Sequence, residues 1–241
     1  MTTTTTSPGD LAGLLTRMTG DEKHEPAATS TLDVIRVLYE RVLRVDPARP
    51  DDPDRDRFLL SKGHGPMAYY AVLAAHGFLD PVSLDRMAEF DSRLGHHPDR
   101  TLLPGVEISS GSLGHGLGLA VGTALGLRLS GRVERTRNEH QRRSARTVVL
   151  VGDAELDEGS NAEAIQYAGR AGLDGLTAVV IDNASASHGW PGGIAARFAV
   201  EGWVTTDVDG HDRGALFRAF RTPHDGRPLA VVAHVEPEEI H

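Results

Sequence analysis

Two apolar, strand-like runs in this chain end in hard oxygen donors. Thr147 to Val151 leads into Gly152-Asp153, and Leu176 to Ile181 leads into Asp182-Asn183. In an open parallel sheet, ligands collect beyond the carboxyl ends of the strands. A carboxylate, an amide oxygen and a loop carbonyl suit Mg²⁺, which takes octahedral oxygen ligation and fills its remaining positions with phosphate oxygens and water. The helix beginning near Ser160 adds free N–H groups and a favourable dipole at the same end. The competing reading is ordinary turn chemistry, because Gly-Asp and Asp-Asn are common after strands. Three of the twelve histidines, His24, His64 and His97, sit in turn-like settings. A neutral imidazole there can donate to a phosphate or hydroxyl and take up a proton. Spacing alone does not group them.

The elements that must position these residues follow from patterning. Ser30, with Asp33 in the capping-box position, predicts a helix start, and Leu32, Ile35, Leu38, Tyr39, Val42 and Leu43 then share one face. Phe58 to Ser61 is a short apolar run ending in Lys62-Gly63-His64-Gly65. A helix from Met67 to about Ala75 follows, and Asp80-Pro81 predicts another reaching about Phe90. Val106 to Ser109 reads as extended. The glycines of Ser110 to Gly118 lead into a helix over Leu119 to Leu129. Ser160 and Glu163 form a second capping box, opening a helix to about Ala171. Gly189 to Gly193 is a loop. Trp203 to Val208 and Leu229 to Val235 read as strands around a helix from Asp212 to about Phe220. This alternation predicts an α/β fold: a doubly wound parallel sheet with helices on both faces. Residues 1–20 read as a mobile N-terminal tail leading into a short helix with the apolar stripe Leu11, Leu14, Leu15 and Met18, and 21–241 as a single domain.

Composition narrows the function. A formal net charge of -9 argues against a nucleic-acid partner. Gly131 to Arg146 holds six Arg against two Glu, but no aromatics interleave, so a solvated loop is the better reading than an anion-binding patch. The absence of cysteine excludes disulfides, thiolate metal sites and a cysteine nucleophile. No secretory signal or membrane-spanning run is present, so the expected location is cytoplasmic. No P-loop occurs, and no dinucleotide fingerprint follows the first strand. What remains is an α/β domain suited to a Mg²⁺-bound diphosphate ligand.

Several motifs, in order, resemble the diphosphate-binding N-terminal domain of the transketolase family. Arg57 to Gly65 is similar to R-F-x-L-S-K-G-H, Pro104 to Gly114 to P-G-V-E-x-S-T-G-S-L-G, and Gly152 to Gly159 to G-D-G-x-L-x-E-G. The resemblance runs from about His24 to Val235, and Asp153 and Asn183 stand thirty positions apart, as in the family. It implies the thiamine-diphosphate-binding fold, with thiamine diphosphate and Mg²⁺ or Ca²⁺ as cofactors. Asp153, Asn183 and the Ser185 carbonyl are implied as metal ligands. His64, Gly111, Leu113, Gly152, Asp153, Ala154 and Asn183 are implied as cofactor-binding. His24, His97 and Glu158 are implied as catalytic, the histidines toward the sugar and Glu158 at a subunit interface.

The resemblance also implies an incomplete machine. The pyrimidine-binding half, with the glutamate that activates the cofactor, is not in this chain. The chain then reads as one component of a split transketolase, paired with a separate pyrimidine-binding/C-terminal subunit in an α2β2 heterotetramer and acting on a small sugar. The departures are Ala154 for Gly, Glu25-Pro26-Ala27-Ala28 after His24, His115 for Gln, His188 for Asp, and the lack of a family segment after the last strand. Alanine at 154 is compatible with the fold provided its φ stays negative. Two other readings stay open: the α-subunit of a 2-oxo-acid dehydrogenase, and a scaffold subunit that keeps the fold without catalysis.

Overall fold

The computed structural model of the protein describes residues 10–19, 25–63, 66–137 and 145–235. His24, His64, the first nine residues and the 138–144 part of the Arg-rich segment lie outside the described residues. Strands β1 (Arg57–Leu60), β2 (Thr147–Gly152), β3 (Leu176–Asp182), β4 (Val204–Asp209) and β5 (Leu229–His234) form one sheet in the order β1-β2-β3-β5-β4, with every neighbouring pair parallel. The helices are α1 (Leu11–Leu15), α2 (Glu25–Val37), α3 (Met67–Ala75), α4 (His115–Arg137), α5 (Gly159–Arg170), α6 (Gly193–Ala199) and α7 (Arg213–Ala219).

Strand residues divide between two cores by alternation. Val148, Leu150, Val179, Ile181 and Val231 meet the helices α1, α2, α3 and α7 on one face. Val149, Val151, Ala178, Val180 and Ala230 meet α4, α5 and α6 on the other. Both faces are covered, which is why β2, β3 and β5 read as continuous β-branched and alanine runs. The last crossover runs backwards, from the edge strand β4 to β5 inside it. A right-handed connection in that direction must cross the opposite face, and α7 does lie opposite α5 and α6. All strands thus end on one side, where Asp153 and Asn183 stand.

Several element expectations need correction. The second helix begins at Glu25, not at Ser30: Pro26 fits a first helical turn, where its missing N–H costs nothing, so Ser30 lies inside the helix. It then continues as a π turn over Leu38–Val42. After Asp80, which does cap with its carboxylate on the Val82 N–H, only a 3-10 turn over Pro81–Arg86 forms. Ala88, with φ 63, prevents its extension to Phe90. Val106 to Ser109 joins no strand. The helix expected over Leu119 to Leu129 spans His115–Arg137, so part of the presumed Arg-rich loop is helical. The helix α6 had no clear signal, since Gly192 and Gly193 take left-handed φ of 81 and 85 just at its start. The short helix expected near Leu11 does form, as α1, and buries Leu11 and Leu14 against this chain's own core.

Two polar clusters brace the sheet. Asp56, fully buried, accepts the N–H groups of Arg44 and Arg146 at 2.9 Å each and the Arg146 guanidinium at 3.0 Å. Burial alone would push its carboxyl up, but these donors outweigh burial and hold it below the usual carboxylate range. Asp56→Ala leaves those donors unpaired and should lower stability by about 3 kcal/mol, measured by denaturant unfolding. At the other end, His234 on β5 bridges Asp182 of β3 and Asp207 of β4 at 2.9 Å through each ring nitrogen. Burial lowers its pKa, but the bonds to Asp207 and Asp182 and their charges more than offset this and leave it raised above 6.5. The imidazolium therefore stabilises the fold fully below the unfolded value of 6.5, and that contribution is lost as pH rises through the raised folded value. His234→Gln should flatten the decline of the melting temperature across that alkaline window, as followed by calorimetry at a series of pH values.

Candidate functional site

Three loops converge at the carboxyl end of the sheet because glycine lets their backbones touch. A side chain at Gly63 would collide with Ser110 and the Gly111 amide, and one at Gly116, in the first turn of α4, with Ser61. Gly111 (φ 120) leaves no room for a Cβ because the His97 ring lies against it. Gly114 (φ 83) is packed the same way by Glu158 and Ser160. The segments Ser61–Gly63, Ser110–Gly116 and Gly152–Glu158 thus form one continuous surface, and His97 and Glu158 are drawn to it.

At its centre lies a buried carboxylate that sequence patterning did not single out. Glu155, 1% exposed, accepts the Ser61 hydroxyl at 2.6 Å and the Gly114 N–H at 3.3 Å on Oε1, and the Gly152 N–H at 3.0 Å on Oε2. Burial pushes its pKa up. Those three bonds and the nearby charge of Lys62 oppose the rise without cancelling it. Its own carbonyl accepts the Asn161 side-chain amide at 2.7 Å, fixing the first turn of α5. The helix starts at Gly159 with Glu158 as N-cap, and the capping box of Ser160 and Glu163 does not form. Ser160 instead donates its hydroxyl to the Gly114 carbonyl at 2.9 Å, a tertiary acceptor that replaces the local one.

Asp153 and Asn183, both 2% exposed, stand at adjacent strand ends, with the Asp153 N–H on the Ile181 carbonyl at 2.9 Å. Asp153 is heavily engaged. Its Oδ2 accepts the N–H groups of Ser185 (2.7 Å) and Ala186 (3.1 Å), and its Oδ1 the Ser185 hydroxyl (2.6 Å) and the Ala154 N–H (2.8 Å). Asp157 extends the grip: its Oδ2 accepts the N–H groups of Ser187 (2.9 Å) and His188 (3.2 Å). Four consecutive amides, 185 to 188, are therefore held by two carboxylates of one turn. They hold Ala184 in the left-handed conformation (φ 56), which costs an alanine about 1–2 kcal/mol. The groups Ser185 places on Asp153 are donors, so a cation sharing this carboxylate would displace them.

The residues fit a metal-bound diphosphate by the chemistry of the donor set. A carboxylate and a side-chain amide, both sheltered from water, offer hard oxygens. Ala154 keeps a negative φ as the start of a 3-10 turn, so its methyl group does not strain the backbone. Gly152 lies against the aliphatic chain of buried Lys62. Leu113 is 40% exposed, an apolar side chain offered to a ligand or partner. Among the described residues no cluster of three or more His, Asp or Glu side chains forms a metal centre. Nor is any described helix long and apolar enough to cross a membrane.

Residues 18–232 match the family profile described as transketolase, thiamine diphosphate binding domain. The chain belongs to this transketolase family. It is 56% identical over 226 residues to a protein of Rhodococcoides fascians named Ferredoxin fas2, covering 94% of this chain and 71% of that protein. It is 33% identical to one subunit of the apulose-4-phosphate transketolase of Phocaeicola vulgatus, covering 85% and 72% of the two chains. A transketolase of Xanthobacter flavus is 40% identical, but there 86% of this chain spans only 31% of the relative. Among solved structures, a mutant transketolase of Pichia stipitis superposes with a TM-score of 0.78 at 25% identity, covering 95% of this chain and 36% of that one. The match leaves part of that relative uncovered, and the sequence of this chain contains no cysteine, the residue that ligates iron–sulfur clusters.

Within the transketolase frame, the structure brings together His97, Glu158, Gly111, Leu113, Gly152, Asp153, Ala154, Asn183 and Ser185. His115 and His188 are both exposed at the rim. Sequence reasoning missed Ser61, Glu155 and Asp157. Ser61 lay inside the R-F-x-L-S-K-G-H motif without a role, and Glu155 and Asp157 fill the open positions of G-D-G-x-L-x-E-G, marked only by the acidic run from Asp153 to Glu158. Asp157→Ala should release the Ser187 and His188 amides. The expected result is faster proteolytic cleavage between 185 and 193, with an unchanged far-ultraviolet circular dichroism spectrum.

Proposed function

We propose that this chain is the diphosphate-binding component of a split transketolase, moving a two-carbon ketol unit from a ketose or ketose phosphate to an acceptor. Its partner would be a separate pyrimidine-binding subunit, in an α2β2 assembly located in the cytoplasm. The observation that carries this reading is the convergence of the Ser61–Gly63, Ser110–Gly116 and Gly152–Glu158 loops on the ends of β2 and β3. Family membership and likeness to a relative named as a subunit support it.

Thiamine diphosphate, when bound, supplies the nucleophilic carbon that cleaves and carries the ketol unit. The chain's own residues hold and shield. Asp153 and Asn183 offer side-chain oxygens to Mg²⁺ or Ca²⁺, with the Ser185 carbonyl as the main-chain donor. Gly152, Ala154 and His64 are assigned to the diphosphate end. Gly111 and Leu113 are assigned to the ring region, where Leu113 excludes water. His97, whose ring packs on Gly111, is assigned to donate to a hydroxyl of the donor sugar, and His24 is assigned the same role. Glu158 is exposed at the start of α5, free to meet a carboxylate or ring nitrogen from across an interface.

The face of α4 supports a partner. Gly118, Gly122 and Gly126 recur every fourth residue with open space above each. Leu119 (50% exposed) and Leu129 lie on the same helix beside that strip, an apolar surface of the kind that protein contacts cover. Asp153→Ala, reconstituted with its pyrimidine-binding partner and assayed with a ketose phosphate donor and an aldose acceptor, should abolish transfer. Full activity in that variant would refute the site assignment.

A further inference from the structure

We infer that Glu155 is a positioning residue: one buried carboxylate ties the exit of β1, the loop before α4 and the exit of β2 into a single rigid cradle. It belongs to none of the roles assigned above. Its side chain is sealed from solvent and touches no surface at which a substrate could reach it. The donors it gathers come from three separate parts of the chain: Ser61 lies 94 residues away, Gly114 lies 41 away, and Gly152 is its near neighbour. Each donor sits inside one of the loops whose backbones meet through glycine, and two of those loops, Ser110–Gly116 and Gly152–Glu158, carry residues assigned to the cofactor. Asn161 fastens the same turn to α5, so the knot also fixes where Glu158 stands.

The chemistry requires a carboxylate. All three partners approach as donors, and only an ionised carboxyl group offers acceptors on both oxygens. Glutamine keeps one acceptor. Its NH₂ must then face either the Gly152 N–H or the Gly114 N–H and Ser61 hydroxyl, so one side of the knot opens whichever way the amide turns. A hydrogen bond to a buried charge is worth enough for about a tenfold change in local opening per lost arm.

The test compares Glu155→Gln with Asp56→Asn by hydrogen exchange and mass spectrometry on the intact chain. Asp56 is an equally buried carboxylate remote from the cradle, and its variant reports general destabilisation. Glu155→Gln should speed amide exchange about tenfold or more on at least one side of the knot, either at 152–153 or in 61–63 and 111–116 together, while Asp56→Asn leaves all of those segments near wild-type rates. Wild-type rates in Glu155→Gln, or equal acceleration in both variants, would overturn the inference. Should Glu155→Gln fail to fold, Ser61→Ala decides: faster exchange at Lys62 and Gly63 with 111–116 unchanged is the expected result, and no change at 62–63 overturns it.

The consequence for the cofactor rests on the function proposed above and is read separately, by calorimetry with thiamine diphosphate and Mg²⁺ in the presence of the pyrimidine-binding partner. Absence of heat with the wild-type chain defeats the functional reading and leaves the exchange result standing. Binding by the wild type with an unchanged Kd in Glu155→Gln defeats the link between knot and cofactor. An increase in Kd of about tenfold or more in Glu155→Gln, but not in Asp56→Asn, supports it.

Discussion

The charge on Glu155 is tolerated inside the protein only because three donors and a lysine face it. A carboxylate moved from water into a packed interior loses several kcal/mol of hydration unless hydrogen bonds replace the water. Here the replacements come from different loops, so the carboxylate is stable only where those loops already lie together. The glycines at 63, 111, 114 and 116 are the steric half of the same constraint. They permit backbone contact, and Glu155 rewards it. Asp56 uses the same device at the opposite end of the sheet, with Arg44 and Arg146 as partners, where it braces β1 against β2.

The sheet carries the remaining requirement, that the ends of β2 and β3 be level. Parallel pairing sets Gly152 opposite Ile181, and one further residue brings Asp153 and Asp182 to the edge with Asn183 beyond. A shift of one residue would turn Asp153 toward the wrong face. Burial of both faces of the sheet forbids that shift, because it would exchange the two sets of core residues.

Much of this is legible in the sequence. The strands are, because short, mostly β-branched runs such as Thr147 to Val151 suit strands buried on both faces. So is the placement of Asp153 and Asn183, because strand ends are easy to find and the motifs around them resemble a known family. Local rules failed where tertiary partners overrode them. Ser160 looked like a helix cap and instead bonds the Gly114 carbonyl. The helix α6 was hidden because its first residues are glycines in a conformation that usually ends helices. Glu155 was hidden for a different reason: nothing in a linear acidic run says which carboxylate turns inward. That depends on the positions of Ser61 and Gly114, far away in sequence.

The turn that carries Asn183 to His188 has a consequence for how the molecule assembles. Its amides are held by Asp153 and Asp157, which lie 30 to 33 residues earlier in the chain. A left-handed alanine gives the segment no local preference for this shape. The intervening helix must fold and the two strands must align before the carboxylates can reach it, and the entropy of closing that span is spent first. The Asn183 turn is therefore a late product of folding, with no nascent form in an unpaired chain. Any lesion that delays β2–β3 pairing will be felt at this turn before it is felt in the core.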